Sequence, residues 1–464
     1  MVNYGGDEVA ALVLDIGTSS IRVGYAGDDT PKAIIPTTYG YTETDEPSSE
    51  PANANADGDV AMAEGEEGGA AGTQSAKKKV KLHIGSNGPS LWRAGMKVNN
   101  PVQNGIIQDF EPIPSLISYA LEQALRCNPS EHPILVTEPA WNTPANRERM
   151  AEILFEEFNV PAFYISNTGV LNAFAAGKGS ALVVDIGHSA ASVTPVVDGF
   201  VMRRGTGSLT YPCISLVDTF SGLAHSALPQ LVHAHARHML TTPSSRRPAI
   251  QLYPHQLIAH KQPVDAGVAP KFELRKDRLE GTTDSWKQWY EAKEVDEWIQ
   301  SVAGILDQGW NEHAANTRGM RHYEFPTGYN NYFSGIERHS VGEQFFTHSP
   351  QLIASNPNLP KPIPNLISSS LNACDMEIRQ VLLGNIVLTG GGSLFAGFAD
   401  RLQAELSRIH SHVKIHAPGN PAERRFGGWL GGSILASLGT FHQLWISKEE
   451  WQEHGRPIVG QRCK

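Results

Sequence analysis

One arrangement of apolar and polar positions occurs twice in this chain. Residues 12–20 read Leu-Val-Leu-Asp-Ile-Gly-Thr-Ser-Ser and residues 182–190 read Leu-Val-Val-Asp-Ile-Gly-His-Ser-Ala, matching at five of the first six positions. Each copy is a short apolar run that ends in Asp, passes through Gly and small hydroxyl residues, and resumes as a second β-rich run. The second runs are Ile21-Arg22-Val23-Gly24-Tyr25 and Val193-Thr194-Pro195-Val196-Val197. The pattern predicts two β-hairpins, each carrying a carboxylate and a glycine at its tip. A third apolar run, Asn385 to Thr389, enters Gly390-Gly391-Gly392-Ser393 and then the helical pattern that follows Phe398. It predicts a strand, a glycine turn and a helix. Periodicity alone therefore gives an α/β chain with a duplicated lobe.

Composition narrows the class. The 464 residues set a soft expectation of about three units, and 40% of them are apolar, enough for full cores. The formal charge of −10 argues against a basic nucleic-acid groove as the main surface. No apolar run is long enough to span a membrane, and the opening MVNYGGDEV has neither the basic nor the apolar part of a secretory signal. Cys127, Cys213, Cys374 and Cys463 are dispersed, which fits a reducing compartment and no structural zinc. A soluble intracellular protein is expected.

The acidity is concentrated in one place. Residues 41–76 hold nine acids, no Lys or Arg, and Val60 as the sole branched aliphatic residue. Such a stretch buries too little surface to offset the entropy of ordering it, and a disordered insertion over 41–81 is expected. Its basic end, Lys77, Lys78, Lys79 and Lys81, reads either as solvated charge or as a nuclear-import signal. Without the insertion and this basic end the chain carries a charge of only about −5.

The duplicated tips have a chemical reading. Gly17 and Gly187 allow the backbone to curl so that N–H groups approach phosphate oxygens, and Thr18 and Ser189 add hydroxyls. Asp15 and Asp185 would repel a phosphate unless a divalent cation with its waters stands between. Two facing hairpins then read as a clamp on a Mg2+-nucleotide, with the glycine turn at 390–392 as a third wall.

These residues carry a family likeness. Residues 12–36 resemble the first phosphate loop of actins and its following strand, and residues 385–405 resemble the adenosine motif. The stretch Trp429 to Ser437 and the end through Trp445, Ser447, Pro457 and Cys463 is closer still. The likeness covers both ends and the region around 99–200, whereas 41–81 and much of 205–350 diverge. The chain is identified as a member of the actin family, most similar to the fourth subfamily of nuclear actin-related proteins, which serve in chromatin remodelling and histone acetyltransferase complexes. The resemblance implies an α/β actin fold: two RNase H-like lobes, in four subdomains, around a nucleotide cleft. Residues 1–40, 82–176 and 427–464 would form the first lobe, with a small outer subdomain around 37–100. Residues 177–426 would form the second, with an outer subdomain at about 212–350.

By position, the resemblance makes Asp15, Gly17 and Thr18 the first phosphate loop and Asp185, Gly187 and Ser189 the second. Arg22 stands where actins have a phosphate-contacting Lys. Gly390, Gly391 and Ser393 line the adenosine side, Phe395 replaces a Tyr, Arg425 replaces a Lys along the adenine, and Glu297 supplies a ribose or adenine contact. Asp15 and Asp185 would hold Mg2+ through water, and ATP is the implied cofactor. Three departures bear on activity: Thr168 stands where actins have a water-positioning Gln, Ser192 where they have a relaying His, and His188 where they have an acid. Loss of a water-orienting group costs on the order of 10²–10⁴ in rate, so no catalytic residue and little or no hydrolysis are expected.

The implied role is a nuclear, non-filamentous scaffold subunit supporting transcription regulation and DNA repair. It would pair with actin and dock on a helical segment of a remodeller motor or acetyltransferase scaffold, with histones or nucleosomal DNA as further partners. No homopolymer is expected, because an acidic insertion replaces the loop that actins insert into the next subunit. The alternatives are an active actin-like ATPase or a sugar kinase of the superfamily. Elsewhere, His225, His233, His235 and His238 read as structural rather than metal-binding. Trp286, Trp289, Trp298 and Trp310 read as core rather than a binding surface. Residues 241–285 read as a loop-like insertion whose Arg246, Arg247, Arg275, Lys276 and Arg278 are solvated.

Overall fold

Both hairpins form, and each seeds a sheet of the same order. In the computed structural model, which describes residues 10–44, 79–202, 224–245, 247–348 and 359–464, Leu12–Ile16 pairs antiparallel with Ser20–Tyr25, bringing Asp15 opposite Arg22. Ala181–Ile186 pairs likewise with Ala191–Val197, bringing Asp185 opposite Ser192. Ala33–Pro36 extends the first hairpin on its outer side, while Ile134–Glu138 and Ala162–Asn167 extend it in parallel on the other. Phe200–Val201 and then Ile386–Thr389 and Ile415–His416 do the same for the second. The inner strands Leu12–Leu14 and Leu182–Val184 are apolar at successive positions because both faces of each sheet are covered.

Each sheet has its own core. The first gathers Leu12, Val13, Ile21, Leu135, Phe163 and Trp429. The second gathers Leu182, Val184, Trp298, Phe333, Leu388 and Phe398. The helix Gly427–Ser437 packs on the helix Thr168–Ala175 at backbone distance. A Cβ placed on Gly431 would lie 1.8 Å from the Leu171 carbonyl oxygen, so glycine is what lets these two helices meet. Thr389 Oγ1 then donates to Asn172 Oδ1 at 3.1 Å, tying the second sheet to the Thr168–Ala175 helix of the first.

Two expectations are corrected here. The ends of the 41–81 insertion are ordered: Tyr39–Thr44 and Lys79–His83 pair antiparallel, with Thr44 opposite Lys79 and Thr42 opposite Lys81. Lys79 and Lys81 are thus strand residues, because the register continues from buried His83 and Ile84. Lys77, Lys78 and the acids from Asp45 onward lie outside the described residues. The stretch 241–285 is no plain loop either. Ile258–Gln262 and Lys271–Leu274 form a hairpin and Lys276–Leu279 a helical turn, anchored by buried Leu257 and by Tyr253, whose ring lies tilted 5.6 Å from that of Phe272. Arg247 is buried rather than solvated: it pairs with Glu337 at 3.0 Å and donates to the Leu240 carbonyl. Arg246 lies outside the described residues.

The four Trp residues divide: Trp310 is 39% exposed, against the core reading, because it sits in a surface connection between the helices Asp284–Val302 and Glu312–Thr317, and Trp289 is only partly buried. Trp286 and Trp298 are fully buried on the helix Asp284–Val302. His233 Nε2 donates to the Ala292 carbonyl, 3.1 Å away, and no metal-holding cluster occurs among the described residues.

Candidate functional site

The C-terminal ends of the parallel strands in both sheets face one cavity of about 1410 Å3. This is where open α/β sheets place ligands, because loops leaving strand ends diverge there and expose backbone groups. The two hairpin tips meet across it. Thr18 Oγ1 and Ser189 Oγ stand 2.8 Å apart, though 171 residues separate them in the chain. Each tip is a tight turn closed by a glycine N–H, from Gly17 to the Ser20 carbonyl at 3.1 Å and from Gly187 to the Ala190 carbonyl at 2.9 Å.

Beneath the tips lie the two carboxylates. Asp15 is held on both sides: Thr137 Oγ1 donates to one oxygen at 2.6 Å, and the Arg22 guanidinium pairs with the other. Asp185 has no hydrogen bond or ion pair among the described residues. Burial pushes its carboxyl up to about 6, the Asp15 charge adds to this, and Arg22 pulls the other way. A desolvated carboxylate beside a second one is relieved by a cation, so the donor set fits a hydrated divalent ion with Asp185 as the freer group. Arg22 faces Asp15 and lies 5.5 Å from the Phe426 ring centroid, so it braces the first carboxylate as well as lining the cavity.

The third wall is the glycine turn. Gly390 has φ +86°, and a Cβ there would lie 2.3 Å from Asp185 Oδ1 and 2.4 Å from the Ile186 carbonyl oxygen. Only glycine fits, and the consequence is a bare backbone edge along the cavity. Gly391, Phe395 and Arg425 line the cavity beside it, and Glu297 lines it from the helix Asp284–Val302. Ser393 does not. Its side chain is wholly buried and donates to the Gly390 carbonyl at 2.7 Å, closing the turn instead of facing a ligand. The long helix after the turn starts only at Phe398, so a short 3-10 turn from Gly391 to Leu394 intervenes.

The positions that the family resemblance links to hydrolysis are well defined in the structure. Asn167 caps the helix Thr168–Ala175, its Oδ1 accepting from the Gly169 N–H at 2.9 Å. Only its amide oxygen is committed to the cap, its Nδ2 being buried without a hydrogen-bond partner among the described residues, but Asn167 does not line the cavity, whereas Thr168, the first helical residue, does, together with Ser192 and His188. Thr and Ser are too short to hold a water at the reach of a Gln or His.

Several cavity residues escape a motif reading: Thr137 and Glu138, Asn172, and Lys293, Asp296 and Gln300 on the helix that carries Glu297. Thr137-Glu138 has a findable signal, an apolar strand run turning polar at its C-terminal end. Lys293, Asp296 and Gln300 recur at helical spacing in a region with no motif to point them inward.

The actin family model matches residues 6–464. Several similar curated proteins carry the name actin-related protein 4. That of Mycosarcoma maydis is 36% identical over 552 aligned residues, covering 99% of both chains. That of Emericella nidulans is 37% identical, covering 99% of this chain and 98% of its own. That of Oryza sativa subsp. indica is 33% identical, covering 99% and 100%. With duplicated sheets, facing hairpin tips and a match along nearly its full length, the chain belongs to the actin family.

Proposed function

We propose that this chain is a nuclear, non-filamentous actin-related scaffold subunit that binds Mg2+-ATP in the interlobe cavity and scarcely hydrolyses it. The observation that carries the reading is the pairing of an intact cradle with an altered reaction centre. Gly17, Gly187, Gly390 and Gly391 keep a bare backbone edge for phosphates and ribose, and Thr18 and Ser189 offer hydroxyls at the two tips. Asp185, with Asp15 beside it, suits a hydrated Mg2+, which when bound would neutralise phosphate charge. Thr168 and Ser192 line the same cavity, at the positions to which the resemblance assigns the water-holding side chains. Glu297, Phe395 and Arg425 are the candidate contacts for the base and sugar.

A ligand touching both lobes stabilises the closed form by RT ln(1 + [L]/Kd), about 4 kcal/mol at 1,000 times Kd. ATP is then a structural ligand, and the chain's work is assembly. Its partners in this reading are actin, as a heterodimer, and a helical segment of a remodeller motor or acetyltransferase scaffold. Exposed Ile434 and Leu438 at the end of the Gly427–Ser437 helix, with Leu444 at the end of the 3-10 turn that follows, are candidates for an apolar seat for such a helix. Histones or nucleosomal DNA remain further candidates. The test is purification of the native assembly. Stoichiometric actin and a bound nucleotide are expected; a lone monomer, or salt-induced pelleting of the pure chain, contradicts the reading.

A further inference from the structure

A second cavity, of about 570 Å3, lies against the helix Asp284–Val302. The strand Ile258–Gln262 and the strand Arg321–Glu324, with the Phe325 and Pro326 that follow it, form its other sides. It shares only Lys293 and Glu297 with the interlobe cavity, so what it binds can be asked apart from the nucleotide reading.

One carboxylate in it is unsatisfied. Glu294 is 5% exposed and makes no hydrogen bond or ion pair among the described residues, and its Oε2 is wholly buried. A buried, unpaired carboxylate is costly. Burial, and then the Glu297 charge, push this one up to about 7, so the empty cavity favours a proton on it. Glu297, one turn along the same helix, brings a second carboxylate to the cavity. The two lysines at the rim do not neutralise them. Lys261 Nζ pairs with Glu324 at 2.7 Å, and Lys293 Nζ lies over the Trp289 ring, 4.9 Å from its centroid.

The remaining lining is aromatic. Tyr323 and Phe325 meet edge to face with their centroids 4.8 Å apart. The Tyr290 ring is fixed by its hydroxyl, which accepts from Gln256 Nε2 at 2.8 Å and donates to the Ser90 carbonyl at 3.2 Å. Burial, and then the charges of Glu294 and Glu297, raise the phenols of both Tyr290 and Tyr323, which puts both rings beside both carboxylates.

We propose that this cavity binds an alkylammonium group, with its N–H donors on Glu294 and its carbon stem among Tyr290, Tyr323 and Phe325. The donor set selects this cation against others. A divalent metal ion needs about six or more oxygen ligands, and no metal-holding cluster occurs among the described residues. A quaternary ammonium is attracted to aromatic rings but has no N–H for a buried carboxylate oxygen. A protonated amine meets both demands. A free polyamine and the lysine side chain of a partner peptide carry the same head group.

Calorimetric titration of the full-length chain at pH 8, where alkylamines remain protonated, tests the site. The probes are n-butylamine for the head group, spermidine and Nα-acetyl-lysine methylamide for its two sources, and choline and Mg2+ as competitors of the wrong chemistry. Saturable binding of n-butylamine is expected, with choline at least tenfold weaker. Glu294→Gln keeps the shape and should weaken amine binding about 10–100-fold, the worth of a charged hydrogen bond. Tyr323→Leu should weaken it about 2–5-fold through the lost ring. A preference for spermidine assigns the site to free polyamines, and one for the lysine derivative assigns it to a peptide side chain. No saturable amine binding, choline or Mg2+ binding as tightly as n-butylamine, or an affinity unchanged in Glu294→Gln overturns the proposal.

Discussion

Glu294 offers a measurable consequence of the structure. It lies on the inner side of the Asp284–Val302 helix, 5% exposed, and its Oε2 has no hydrogen-bond partner among the described residues. Burial pushes its carboxyl from 4.5 up to about 7, the neighbouring Glu297 charge adds to the rise, and Lys293 opposes it. A folded-state value above the unfolded one means that folding favours the protonated form. That contribution is fully present below pH 4.5 and is lost as pH rises through about 7. At about 1.36 kcal/mol per unit the full shift is worth about 3 kcal/mol. Because a cavity of about 570 Å3 borders the side chain and admits water, we expect about 2–3 kcal/mol. Glu294→Gln keeps the shape and removes the titration. Urea unfolding of both proteins at pH 5 and pH 8 should find them close in stability at pH 5. At pH 8 the variant should be more stable by about 2–3 kcal/mol. A stability difference that does not change with pH refutes the reasoning.

Other expectations follow from named contacts. Gly390→Ala forces a Cβ against Asp185 and the Ile186 backbone at a positive φ, so nucleotide affinity should fall by at least tenfold, read by calorimetric titration with Mg2+-ATP. Arg401 is fully buried, with two 2.8 Å bonds to Glu343 and one of 2.7 Å to Glu405. Arg401→Met leaves Glu343 buried and unpaired and should cost about 3–5 kcal/mol, read by denaturant unfolding. The double variant Thr168→Gln with Ser192→His should raise phosphate release from bound ATP at least tenfold, read by a single-turnover assay.

Much of this architecture is legible in the chain, for local reasons. Leu12–Ile16 and Ala181–Ile186 are short, apolar and ended by Asp-Ile-Gly, so strand, tip and carboxylate can all be read from nine residues. Gly390 is visible because three consecutive glycines interrupt a strand. What escapes is tertiary. Asn172 and Thr389 are 217 residues apart, and nothing near either announces the other. Trp286 reads correctly as core, yet its partner Met96 belongs to the opposite lobe, so no local pattern distinguishes it from Trp298. Ser393 misleads because a glycine-rich turn suggests ligand contact at every residue, whereas one hydroxyl is needed to close the turn itself. Arg247 misleads similarly: in a proline-rich stretch its charge suggests solvent, but carbonyls at Met239 and Leu240 and the Glu337 carboxylate satisfy it inside. The hairpin Ile258–Gln262 with Lys271–Leu274 is hidden by flanking prolines and lacks a clean apolar alternation.

The central claim is that the cradle persists while the water-holding groups are gone. It is tested most directly by loading the purified chain with a single equivalent of Mg2+-ATP, and identifying the bound nucleotide over time beside an actin treated in the same way. The account predicts that ATP remains bound and intact. Conversion to ADP at an actin-like rate would contradict it, because Thr168 and Ser192 would then be positioning a water after all.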